Sequence, residues 1–185
     1  QWDRVLELVN ARLDNDVFQL GSGMPDVSQP TLKPLWKIIN RPGQQRDPRM
    51  PAYDNLYGLV ELREQIARLQ IDSGCQLTAD DIVVTTGCHE ALSAAIRAIC
   101  APGDIVAVDS PSFHGVMQAL KGFGMKALEL PTDPLTGASL AALALALEQW
   151  PITAIQLTPN CHNPPGYLLP QADKRALLAP APPPA

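Results

Sequence analysis

The residues best suited to chemistry sit where a short apolar run turns into a helix. Thr86-Gly-Cys-His89 follows the β-branched run Ile82–Thr86 and precedes a pattern in which Leu92, Ala95, Ile96 and Ile99 recur at helical spacing. A strand that passes through Gly87 into a helix leaves unpaired backbone N–H groups at the helix's positive end, where phosphate binds well. Taken alone, the segment also reads as an ordinary α/β connection that binds nothing. Zinc is a second chemistry to weigh, raised by the pairs Cys88-His89 and Cys161-His162. Each pair would have to find the other in space, and no C-x-x-C spacing occurs, so no metal site is assigned. The four cysteines read instead as reduced, mostly structural thiols of a cytosolic protein.

These residues need a scaffold, and 185 residues with 46% hydrophobic content suffice for one domain with a sizeable core. A net charge of −5 argues against this segment itself gripping nucleic acid. Arg41, Arg46 and Arg49 lie among Pro42, Gly43 and Pro48 and read as a solvated loop. The longest apolar run, Leu140–Leu147, is too short to span a membrane. No signal sequence opens the chain, which does not begin with Met, and its start is expected to lie inside something longer.

Residues 2–14 carry helical periodicity, and the glycines of Phe18-Gln-Leu-Gly-Ser-Gly-Met-Pro25 favour close backbone approach to a ligand. A short helix is expected over 31–40, ending before Pro42, and a longer one over 60–71. From Ile82 the chain alternates. Strands are expected at Ile82–Thr86, Ile105–Val108, Lys126–Leu130 and Thr153–Thr158, with helices near 89–101, 113–123 and 140–150, and a loop over Pro131–Gly137. Strands separated by helices imply right-handed βαβ units, a parallel sheet and ligands at the strands' carboxyl ends. A last helix begins at Gln171, and the Pro/Ala tail of 180–185 cannot continue it. That tail reads as a linker, a truncation or a sequence artefact.

Three strand-end loops line up: Thr86-Gly-Cys-His89, Asp109-Ser-Pro-Ser-Phe-His-Gly115 and Pro159-Asn-Cys-His-Asn-Pro-Pro-Gly166. With Tyr53-x-x-x-x-Gly58-x-x-x-Leu62-Arg63, the stretch from about Phe18 to Leu178 resembles the fold-type-I pyridoxal-phosphate aminotransferases of class I/II. Its wording is most similar to the aminotransferase-like domain of MocR-type regulators of the GntR group. In those proteins a winged-helix DNA-binding domain precedes this region.

The resemblance implies an α/β fold: a truncated large domain with a mostly parallel sheet in three α/β/α layers, preceded by an N-terminal helical and loop segment. Residues 1–58 would carry the substrate and interface loops, 59–179 a partial cofactor-binding domain and 180–185 the tail. It also implies pyridoxal 5′-phosphate as cofactor. Gly87, Cys88 and His89 would meet its phosphate, Phe113 would stack on the pyridine, and Asn163 would donate to the ring's phenolic oxygen. Tyr53 would reach the phosphate of a neighbouring subunit, which requires a homodimer. Ser22 and Gly23 would approach the substrate carboxylate. Without their neighbouring motifs, Phe113 reads as a core aromatic, Asn163 as part of a plain turn and Tyr53 as a packed loop residue.

The family's Schiff-base lysine and the aspartate beside the pyridine nitrogen follow the Asn-Pro-x-Gly loop, and neither has a counterpart here. The five lysines, Lys33, Lys37, Lys121, Lys126 and Lys174, stand in other contexts. No catalytic residue is therefore assigned, and this chain alone is not expected to transaminate. Three readings stay open: a fragment of a cytoplasmic regulator sensing an amino compound or pyridoxal phosphate, a fragment of a free-standing aminotransferase, and a fold that binds nothing. The family's first strand is an edge reached only through strands later in the chain. Ile82–Thr86 is thus expected to stand apart, with a gap between it and Thr153–Thr158.

Overall fold

The computed structural model describes Glu7, Asp26, residues 28–45 and residues 55–178. The chain divides into two compact units, Gln1–Asp54 and Asn55–Ala185. In the first, a turn of 3₁₀ helix at Pro30–Leu32 leads into α1, Lys33–Gln45. The helix continues through Pro42, past the expected stop. A proline removes one helical N–H and crowds one carbonyl, which a helix can survive as a bend. Leu35, Trp36, Ile38 and Ile39 of α1 are exposed. The expected helix over 2–14 and the Pro/Ala tail lie outside the described residues.

The second unit opens with α2, Val60–Ile71, over the span its periodicity predicts. Arg63 of this helix is buried, and its guanidinium donates to Gly58 O at 3.1 Å and Ala79 O at 2.6 Å. Gly58 is at φ +89°, where a Cβ would lie 2.6 Å from the Val84 side chain. The spacing Gly58-x-x-x-Leu62-Arg63 thus locks the turn before α2 against the segment that leads to Gly87.

Ile82–Thr86 is not a strand. Ile82 has extended dihedrals, and Val84 N–H donates to Tyr57 O at 3.0 Å, but no sheet partner lies beside the segment among the described residues. β-branched residues suit a strand; a ladder also needs a neighbour. Neither does this segment pair with the last strand, as expected.

The sheet is built from β1, Ile105–Ser110; β2, Lys126–Asp133; β3, Gly137–Ala138; and β4, Ile152–Gln156. Its order is β3-β2-β1-β4, with β1 central and parallel to both β2 and β4. Helix α3, Cys88–Ile99, precedes β1; α4, His114–Gly122, lies between β1 and β2; α5, Leu140–Gln149, lies between β3 and β4; and α6, Gln171–Leu177, follows. The two-residue β3 is antiparallel to the end of β2, where a loop was expected. Prolines 131 and 134 suggest irregular chain, yet Pro131 ends the pairing with β1, and its carbonyl accepts from Ser139 N–H at 2.9 Å. Asp133 then turns the chain by accepting from the N–H groups of Leu135 and Thr136.

Alternation along β1 divides the core. Val106 and Val108 pack with Ile96, Val116, Ala119, Leu120 and Met125, and Ala107 packs with Leu130 and Leu143. Helices α3 and α4 supply the first cluster and α5 the second. A parallel strand buried on both faces in this way is the middle of a three-layer α/β/α arrangement. No helix among the described residues is long and apolar enough to cross a membrane.

Candidate cofactor site

β1 ends in the loop that carries Phe113, and β4 runs on into the loop that carries Asn163. The turn at Gly87 is tied to the first of these. Gly87 caps α3 at φ +94°, a conformation open to glycine, and no heavy atom lies within 4 Å of where its Cβ would be. Ala91 N–H donates back to Gly87 O, so the N–H groups of Cys88, His89 and Glu90 precede the first intrahelical bond. Glu90 folds back to accept from Thr86 N–H. Cys88 and His89 are exposed.

His89 Nε2 lies 3.1 Å from Gly115 O, which makes it the donor in that bond. Phe113 caps α4, and its ring packs over Gly115: a Cβ there would lie 2.5 Å from Phe113 Cε1 and 3.0 Å from His89 Cδ2. Glycine at 115 therefore lets the histidine and the phenyl ring meet at one point. Phe113 is half-buried and also tilts against His114, with centroids 4.4 Å apart. Its core contacts make the packing role real as well.

The Asn163 loop is a small arch. Leu169 N–H donates to Pro159 O, Asn160 and Leu168 form an antiparallel bridge, and His162 and Tyr167 are joined through their backbones. Asn163 stands exposed at the tip, and among the described residues nothing hydrogen-bonds its side-chain amide. The peptides Ser110–Pro111 and Asn163–Pro164 are cis. His162 Nε2 donates to Pro111 O at 2.9 Å, which fastens the arch to the Phe113 loop.

Below the arch lies a polar cluster that residue types alone did not single out. Asp109, fully buried near the end of β1, accepts from the Tyr167 hydroxyl at 2.7 Å. His162 Nδ1 is 3.1 Å from the same Oδ2 but poorly aligned for a hydrogen bond. The His162 and Tyr167 rings stack with centroids 4.9 Å apart. Burial, and then the bond to Asp109 and its charge, hold the Tyr167 phenol well above the ordinary tyrosine range, so it stays a donor. The available signals were a histidine beside Asn163 and an aromatic just after Gly166; neither names its partner.

Tyr53, Ser22 and Gly23 lie outside the described residues. A separate hollow of about 420 Å³, lined by Thr132, Asp133, Gly137, Leu140 and Asp173 among others, includes none of the candidate residues. The residues that are described fit a phosphorylated pyridoxal. There is open space at a glycine-capped helix start, an aromatic face beside it and an unengaged amide donor on the next loop.

This arrangement of loops at the carboxyl ends of parallel strands is the fold of the pyridoxal-phosphate-dependent aminotransferases. A kynurenine aminotransferase from Pyrococcus horikoshii, solved in complex with PMP, superposes with a TM-score of 0.81 at 23% identity, over 95% of this chain and 44% of its own. The chain belongs to the aminotransferase class I and II family, whose profile matches residues 15–182. It is 53% identical over 179 residues to the uncharacterized HTH-type transcriptional regulator YjiR of Escherichia coli K12. It is 36% identical over 178 residues to the HTH-type regulator YdcR of the same organism. The matches take in 97% and 95% of this chain but only 38% and 37% of those regulators.

Proposed function

We propose that this chain is part of a pyridoxal-phosphate-binding, aminotransferase-like domain that senses an effector for a MocR-type transcriptional regulator. The observation that carries the reading is the meeting of His89 and Phe113 at Gly115, beside the open start of α3. Gly87 and the N–H groups of Cys88 and His89 hold the cofactor phosphate, with the His89 ring fixed beside them by its bond to Gly115 O. Phe113 stacks on the pyridine, and Asn163 donates its amide N–H to the phenolic oxygen. Tyr53 of a second subunit completes the phosphate site in a homodimer, and Ser22 and Gly23 face the substrate carboxylate. When bound, the cofactor supplies an electron sink for an amino compound's α-carbon. Residues 1–58 serve as interface and substrate segment, 59–179 as part of the large domain and 180–185 as tail.

The similarity to YjiR favours the regulator, with DNA bound through a domain upstream of Gln1 and the protein in the cytoplasm. The effector is pyridoxal phosphate itself or a small amino compound. The family profile supports a second reading, a class I/II aminotransferase that moves amino groups between amino acids and 2-oxo acids. A winged-helix region upstream in the gene separates the two. Borohydride reduction followed by mass analysis tests the cofactor. The full-length gene product should be labelled at a lysine beyond residue 185, and residues 1–185 alone should acquire no stable label. Stoichiometric labelling of Lys33, Lys37, Lys121, Lys126 or Lys174 would overturn this assignment.

A further inference from the structure

The buried cluster under the Asn163 arch belongs to none of the roles above. Asp109 is the penultimate residue of the central strand, paired with Leu130 of β2 and one residue beyond the last pairing with β4, Val108 with Gln156. Its Oδ2 receives the Tyr167 hydroxyl at 2.7 Å and lies 3.1 Å from His162 Nδ1 and 3.5 Å from Thr158 N. His162 and Tyr167 are 2% and 4% exposed, and they flank a tip that is exposed at Asn163, Pro164 and Gly166. The tip closes on itself through Gly166 N–H to His162 O at 2.6 Å.

The arch also holds an unfavoured backbone. Cys161, next to His162, sits at φ +48°, the left-handed region that a residue with a Cβ occupies at a cost of about 1 kcal/mol or more. Such a conformation persists when its surroundings over-determine it. Here the surroundings are the His162 bond to Pro111 O, the Gly166 N–H bond back to His162 O, and the stacked Tyr167 ring whose hydroxyl is held by Asp109.

We propose that Asp109, His162 and Tyr167 are positioning residues that clamp the base of the arch to the central strand and so aim the Asn163 amide at the cofactor's phenolic oxygen. The inference rests on the cofactor reading given above. It adds that the precision of Asn163 comes from residues that never touch the cofactor. An amide on an unpinned four-residue tip would spend most of its time misdirected; a tip tied to the sheet keeps its donor in place.

Tyr167→Phe removes one hydroxyl and keeps the stacked ring. In the full-length gene product it should weaken pyridoxal 5′-phosphate binding by about tenfold, the effect of losing one well-placed hydrogen bond to a charged group. It should also shift the bound cofactor's absorption band in the same direction as Asn163→Ala. On the Asn163→Ala background it should add less than about twofold, because two residues acting through one contact are not additive. Amide exchange at His162 and Gly166 should quicken about tenfold or more, with Val106 and Val108 unchanged. If Tyr167→Phe does not give folded protein, Asp109→Asn, which weakens the bond by replacing the charged acceptor with a neutral amide, goes through the same cycle. Wild-type affinity and band in the folded variant would overturn the proposal, as would an equal loss on both backgrounds. If Asn163→Ala binds cofactor as wild type does, the assignment of Asn163 falls, and the clamp's purpose falls with it.

Discussion

Tyr167 shows how one side chain's environment becomes a pH dependence. Its phenol is held neutral above the ordinary value of 10.0, first by burial and then by the bond to Asp109 and its charge. Below that value folded and unfolded chains carry the same proton, so the contribution to stability is complete. As pH rises past about 10, the unfolded tyrosine ionises while the folded one resists, and stability falls. Thermal unfolding of the gene product and its Tyr167→Phe variant should differ by a constant amount up to about pH 10. Above it the gap should shrink, because the variant lacks this ionisation; a gap that widens would contradict the burial of that hydroxyl beside Asp109. Sequence reading singled out Gly87, His89, Phe113 and Asn163 as candidates at this scale through their motifs. It did not reach Asp109 or Tyr167, 58 positions apart, because a hydrogen bond over that distance leaves no local pattern.

Among the elements, legibility followed periodicity. Helix α2 matched its expected span to the residue because its apolar face and its turns agree. Ile82–Thr86 misled because composition reports strand preference, and a ladder is a property of two segments. Pro131–Gly137 misled the other way: the prolines stand at the margin of β2, where a missing N–H is tolerated. The division of the core also predicts which leucines matter. Leu120 of α4 is 1% exposed and Leu145 of α5 is 54% exposed. In chemical denaturation Leu120→Ala should cost about 2–5 kcal/mol, through lost burial and a cavity. Leu145→Ala should stay within about 0.5 kcal/mol. Comparable losses at both positions would mean that α5 is covered by something else in the full protein.

For the molecule as a whole, charge speaks more plainly than shape. A net −5 over 185 residues gives no electrostatic grip on a phosphate backbone. Residues 1–185 alone should therefore show no sequence-selective DNA binding, even though relatives at 53% and 36% identity are HTH-type regulators. A salt-resistant, sequence-selective gel shift with this segment would place DNA recognition here and displace the proposed division of labour. Family membership was legible from four ordered motifs, and the lack of pairing between Ile82–Thr86 and the last strand from the family's strand order. The antiparallel turn at β3 was not, since two residues carry no periodicity.

The position of Asp109 has a consequence in time. Its carboxylate is made 58 residues before the phenol that it binds. At 5–20 residues per second, the ribosome leaves the central strand's buried acid without that partner for about 3–12 s. During that interval β1 can pair with β2, but the carboxylate must stay hydrated, which keeps that end of the sheet open to water. The arch is then the last part of the described site to be synthesised, and Tyr167 is the residue whose arrival lets water leave.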